Sequence, residues 1–225
     1  MKNYIFFGLT ALLLTSCISS TATRGEQYAK LYEERPLAIV IMPPINQTNH
    51  VEAKEFFYTT LYTPLCDKGY YVFSPMMTME MFQTESAYDA EQFIEGDLSQ
   101  IQNVLGADAA MFTIIKSWKR NNMSGKLTAG VEYILRSTKT GETLYQREGL
   151  ISVDKSVNSS GGGLFGALAN LAATAINTAT TDNVVAGRQC NEFVLSNFPE
   201  GKYGTLYDKD QGLPAGKTYV KATVK

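Results

Sequence analysis

The sequence predicts one α+β domain on a mixed β-sheet, with a strand–helix–strand start, an antiparallel meander and helices at its C-terminal end. Three observations predict it. Residues 37–42 are a continuous apolar run, separated by a helical stretch from a second apolar run at 70–73. From residue 109 the apolar period changes to two, in three successive segments divided by turn residues. Beyond residue 163 the spacing becomes helical again.

The first sixteen residues are of another kind. Lys2 is their only charge, and Ile5 to Leu14 is an apolar run half as long as a bilayer needs. It leads into Leu14-Thr15-Ser16-Cys17, which reads as a bacterial lipobox. Small residues there let a signal peptidase reach the backbone, and the Cys17 thiol is the group that takes diacylglycerol. Residues 1–16 are therefore expected to be a lipoprotein signal peptide, and Cys17 the lipidated first residue of the mature chain. With Ile18 and Ser19 following, and no Asp to signal inner-membrane retention, the outer membrane is the expected location. Residues 17–35 read as the lipidated end and a polar tether, residues 36–198 as the domain, and residues 199–225 as a polar, loosely attached tail.

Within the domain, Leu37 to Met42 is rich in β-branched residues and stops at Pro43-Pro44, as a strand covered on both faces does. Asn49 and Glu52 suggest a capping box for a helix running to about Lys68. Its buried face would carry Phe57, Leu61 and Leu65; Pro64 would kink its last turn, and Gly69 fits the left-handed position after it. Tyr70 to Phe73 is the second strand, and Ser74-Pro75 starts a short helix through Met81-Phe82. A polar, weakly patterned stretch follows, and Asp97 with Gln100 then caps a helix closed by Gly106.

The meander strands are 109–118, 127–136 and 142–153, with turns at 121–125 and 138–141. In the middle strand Leu127, Ala129, Val131, Tyr133 and Leu135 alternate with polar residues, so one face is expected to be wet. Residues 156–181 carry no charge, and Leu164, Leu168, Leu171 and Ala175 recur at helical spacing. That helix would pack on the domain's own sheet or on a second copy. Another helix is expected over about 184–197.

A net charge of −2 without a basic stripe gives no footprint for nucleic acid. The single histidine, His50, has no ligand at helical spacing, so no metal site is expected. A Ser-His-Asp or Cys-His nucleophile would need that same residue, and no Gly-x-Ser-x-Gly elbow occurs. The Gly161–Gly166 loop lacks the Lys-Ser/Thr of a phosphate cradle and reads as a joint. Asp108, Glu132 and Asp154 lie beside or in strands as separate, solvated carboxylates. No cofactor and no catalysis are expected. Once Cys17 is acylated, Cys66 and Cys190 remain, either as a disulfide in an oxidising compartment or as two free, buried thiols.

Residues 35–46, Tyr62-Thr63-Pro64-Leu65 with Gly69 to Phe73, Leu105 to Ala109 and the Gly162 to Asn177 stretch together resemble the lipoprotein family of the neisserial genome-derived surface antigen. The resemblance spans about residues 35–200. It implies a lipid-anchored domain similar to the N-terminal domain of the Tol system's propeller protein, acting as an auxiliary of ABC-type transport, with a homodimer among its expected partners. It carries over no catalytic residue. The function expected is a non-catalytic accessory bound to the bilayer through acylated Cys17 and to envelope proteins. A regulator of cell-wall synthases is the alternative, and an envelope hydrolase is the disfavoured third reading.

Overall fold

Thr23 opens the first helix with a reciprocal cap. Its hydroxyl accepts the Glu26 N–H at 3.3 Å, and the Glu26 carboxylate takes the Thr23 N–H at 2.8 Å. Helices α1 (Arg24–Gln27) and α2 (Ala29–Glu34) follow, and Tyr28 and Leu31 enter the main core. The computed structural model describes residues 22–84, 89–121, 126–153 and 179–224. The expected tether over 17–35 is thereby corrected, since the chain is docked from Thr23 onward. Two apolar side chains three residues apart suffice to seat these short helices, and a polar neighbourhood hides that pattern. The signal segment, Cys17 and the four residues after it lie outside the described residues.

Strand β1 (Ala38–Ile41) is covered on both faces, with Ile39 and Ile41 entering one apolar cluster and Val40 and Met42 the other. Pro43-Pro44 interrupts the ladder, and it resumes as β2 (Ile45–Asn46), a short strand that the sequence pattern did not predict. The helix expected over 49–68 is two helices, α3 (Ala53–Thr60) and α4 (Tyr62–Asp67). Pro64 has no N–H to offer the Thr60 carbonyl, so the break falls at Leu61, earlier than a last-turn kink. The Asn49–Glu52 box is not formed; the Asn46 carboxamide takes the Thr48 N–H at 3.0 Å in the preceding loop. Gly69 ends α4 at φ +81 as expected. Strand β3 (Tyr71–Val72), α5 (Pro75–Thr84), α6 (Glu91–Ile94) and α7 (Ser99–Leu105) come next, and Gly106 closes α7 at φ +70.

The meander is β4 (Ala109–Arg120), β5 (Leu127–Ser137) and β6 (Thr143–Val153). Helix α8 (Ala179–Val194) then returns across it, and β7 (Tyr219–Val224) ends the described chain. The sheet order is β3-β1-β4-β5-β6-β7, with β2 beside β4. β1 runs parallel to β3 and β4, the meander is antiparallel, and β7 is parallel to β6. The fold is thus a mixed sheet with helices on both faces. Phe56 and Phe57 of α3 pack on Trp118 of β4, while Phe82 of α5 and Ile101 of α7 join the opposite cluster with Val40 and Phe112.

Asp108 ties the start of the sheet together. Its carboxylate accepts the Leu37 and Ala38 N–H groups, each at 3.0 Å, and Lys139 at 2.9 Å. Partial burial pushes its carboxyl up, but the bonds from Lys139, Ala38 and Leu37 outweigh that and hold it below the usual range. A group depressed on folding stabilises fully above its unfolded pKa, and that contribution fades as pH falls through its folded pKa. Asp108→Asn is therefore expected to cost about 1–3 kcal/mol near neutral pH, from weakened charge-assisted bonds. In urea unfolding, the gap between parent and variant should stay constant from neutral pH to about 5 and close in acid.

The segment after α8 corrects the expected loose tail. Asp210 is fully buried and pairs with Arg24 at 2.8 Å. It also accepts the Tyr32 hydroxyl at 2.9 Å and the Glu200 N–H at 3.0 Å. Backbone bonds join Arg24 to Leu213 at 2.8 Å and Ala215 to Ala22 at 2.9 Å. Phe198 meets Tyr70 at a tilt and Tyr145 edge-on, and the buried Arg147 donates to the Lys217 carbonyl at 3.1 Å. The two ends of the chain thus clasp each other over the aromatic end of the core. Gly69 shows how tight the fit is, since a Cβ there would meet the Gly204 nitrogen at 2.0 Å.

Candidate protein-docking surface

Helix α5 is apolar on two faces. The sequence Pro-Met-Met-Thr-Met-Glu-Met-Phe-Gln-Thr holds four of the chain's eight methionines, so a helix of this length cannot hide them all against one sheet. Thr78 and Phe82, four residues apart, are buried, and Met79 packs on the main core. Met76 and Met77 are left 81% and 66% exposed, and Met81 follows Met77 one turn later on the outer face.

The first turn of the helix is tied to α3. The Tyr58 hydroxyl donates to the Pro75 carbonyl at 2.8 Å and lies 3.0 Å from the Thr78 hydroxyl. Burial pushes that phenol up to about 12, so it stays a neutral partner across the physiological range.

The sheet edge carries exposed aromatic side chains of its own. Tyr71 of β3 is 55% exposed and meets Phe73 edge-on, with ring centres 5.3 Å apart. Beside it on α4, Tyr62 is half exposed and hydrogen-bonded to Cys66. Two residues of edge strand offer little backbone to an incoming chain, so side chains dominate what this surface can bind. Methionine is flexible and polarisable, and Tyr is rigid and amphipathic, which suits both to a protein partner. Glu80 is the only charge on α5.

The residues singled out from the sequence lie elsewhere. Cys17 is outside the described residues, as are Asp154 and the Gly161–Gly166 loop. Cys66 is half-buried on α4, and Cys190 is fully buried on α8; both are free thiols, so the possible Cys66–Cys190 disulfide is not formed. Burial pushes both thiols up. His50 is exposed, its carbonyl taking the Asn46 amide at 2.8 Å. Glu132 accepts Lys116 at 2.9 Å and Gln146 at 2.6 Å on the wet face of the sheet. Among the described residues no three His, Cys, Asp or Glu side chains are grouped to hold a metal, and no helix is long and apolar enough to cross a membrane. Sequence reasoning placed α5 as a helix but missed its outer methionines. The signal was available: four methionines in ten residues exceed what one buried stripe uses.

Residues 26–202 match the model of a protein family described as GNA1162-like. The lipoprotein NMB1124/NMB1162 of Neisseria meningitidis serogroup B is 23% identical over 180 residues, 79% of this chain and 83% of that one. Among solved structures, lipoprotein GNA1162 from Neisseria meningitidis aligns at 21% identity and a TM-score of 0.49, covering 62% of this chain and 96% of that chain. Protein CT253 from Chlamydia trachomatis aligns at 13% identity and a TM-score of 0.42, covering 71% and 94%.

Proposed function

From the premise that the chain belongs to the GNA1162-like family of lipoproteins, we propose that it is a lipid-anchored envelope protein that works by binding other proteins rather than by catalysis. Acylated Cys17 holds it on the outer membrane. Each buried methylene of an acyl chain contributes about 0.8 kcal/mol, so two or three chains replace a spanning helix.

The observation that carries the binding role is the outward face of α5. Fully burying a methionine stabilises a complex by about 1.5–3 kcal/mol, and Met76 and Met77 stand exposed on this one helix with Met81 partly exposed a turn later. The partner is an envelope protein presenting an apolar helix or groove, in a transport or secretion assembly.

A photo-crosslinking amino acid in place of Met77, in the full-length protein in intact cells, tests this. The expected result is a defined adduct with a transport or secretion component, absent when the probe replaces Gln146 on the wet face of the sheet. Adducts with a cell-wall synthase would move the role to regulation of that enzyme, and adducts with a second copy would make the surface a dimer interface. Absence of any adduct at residue 77, or equal adducts at both positions, would overturn the docking role.

A further inference from the structure

The described chain begins where the clasp is made. Ala22, Thr23, Arg24 and Gly25 lie along residues 211–215, through the Ala215–Ala22, Arg24–Leu213 and Gly25–Gln211 backbone bonds at 2.9, 2.8 and 2.9 Å and a bridge between Thr23 and Pro214. Five residue steps separate Ala22 from Cys17. Fully extended, they span at most about 18 Å. Wherever Cys17 is acylated, Ala22 is therefore held within that distance of its lipid, and Ala215 lies one backbone bond beyond it.

The loop on this face has a composition that suits such a place. It is fixed from beneath by the buried Gly201, Asp210 and Ala215, and the residues between are mostly exposed. Leu206 and Leu213 are each 40% exposed and Tyr203 is 68% exposed. Leu213 bonds Arg24, two residues from Ala22, and two consecutive turns, with Lys209 N–H on the Leu206 carbonyl at 2.8 Å and Leu213 N–H on the Asp210 carbonyl at 3.0 Å, connect it to Leu206. Lys202 and Lys209 are exposed on the same loop, while its acids are engaged: Asp208 pairs with Arg35 at 3.2 Å, and Glu200 takes the Leu206 N–H at 2.7 Å. Tyrosine, leucine and lysine together are the residues of a membrane–water boundary.

We propose that the loop over residues 202–214 is the face that the domain lays on its own membrane, with Leu206 and Leu213 entering the headgroup boundary and Lys202 and Lys209 meeting lipid phosphates. The inference rests on acylation of Cys17. It makes the anchor and the loop two contacts with one bilayer, which fixes the orientation of the body and not only its distance.

Brominated lipids read this directly. The only native tryptophan, Trp118, is buried and gives a constant background. Leu213→Trp, Leu206→Trp and Lys119→Trp, the last at the opposite end of the meander, are made in the full-length protein. Each is reconstituted in phosphatidylethanolamine–phosphatidylglycerol vesicles with and without brominated chains, and intact mass records acylation in the same samples. The added emission of the two leucine replacements is expected to fall by about half in brominated vesicles, with that of Lys119→Trp unchanged. Acylated, vesicle-bound protein with no quenching at 206 and 213, or with equal quenching at 119, would overturn this face alone. A purified membrane protein without acyl chains would overturn both this inference and the anchoring beneath it.

Discussion

Asp210→Ala is expected to lower the unfolding free energy by about 3–5 kcal/mol, because it leaves a buried arginine without its counter-charge. Arg24 is itself buried, so water cannot replace the lost carboxylate without opening the clasp. The same change removes the acceptor of the Tyr32 hydroxyl and of the Glu200 N–H. For a chain of this size that loss lowers the thermal midpoint by roughly 10 °C. Urea midpoints with an unchanged slope would locate the effect in the native state. Replacing both partners, with Arg24→Met and Asp210→Leu, should recover part of the loss, since two apolar side chains leave no orphaned charge. A cost for Asp210→Ala under about 1 kcal/mol would mean that solvent already reaches the pair.

Met76→Glu together with Met77→Glu should do the reverse, sparing the fold and abolishing the function. Both side chains lie on the outer face of α5, and exposed substitutions usually change stability by no more than about 0.5 kcal/mol. In a complex they would bury two carboxylates in an apolar seam. Charges placed at the centre of an interface cost 2 kcal/mol or more, so recovery of the partner from detergent-solubilised membranes is expected to fall by at least about tenfold. Unchanged recovery with an unchanged melting temperature would contradict the docking role of α5.

How far these features were legible in the sequence depends on whether their signals are local. β1 could be read because Leu37 to Met42 is apolar without interruption, as a strand with Ile39 and Val40 facing two different clusters must be. β5 could be read because Leu127, Ala129, Val131, Tyr133 and Leu135 are buried while Thr128, Glu132 and Arg136 between and after them are only half-buried. The clasp could not, because Arg24 and Asp210 are 186 residues apart and either one alone reads as a solvated charge. β7 has the period of a strand, with Val220, Ala222 and Val224 on one face, but its partner β6 is set by the route of the whole chain. The Gly- and Lys-rich sequence ahead of it hides the strand further. As for the candidate surface, Ser74-Pro75 announced the helix and its four methionines in ten residues exceed one buried stripe, whereas which of them stay exposed is set by how α5 packs on the rest of the fold.

The proposed role requires the folded body to be moored to its membrane through a lipid-modified Cys17. Intact-mass measurement of the protein extracted from membranes tests it most directly. The expected product is a chain starting at Cys17 and heavier by a diacylglyceryl group on its sulfur and an acyl chain on its amine, with Cys17→Ser recovered in the soluble fraction. A membrane-extracted chain of unmodified mass, or a Cys17→Ser protein that stays on the membrane, would contradict it.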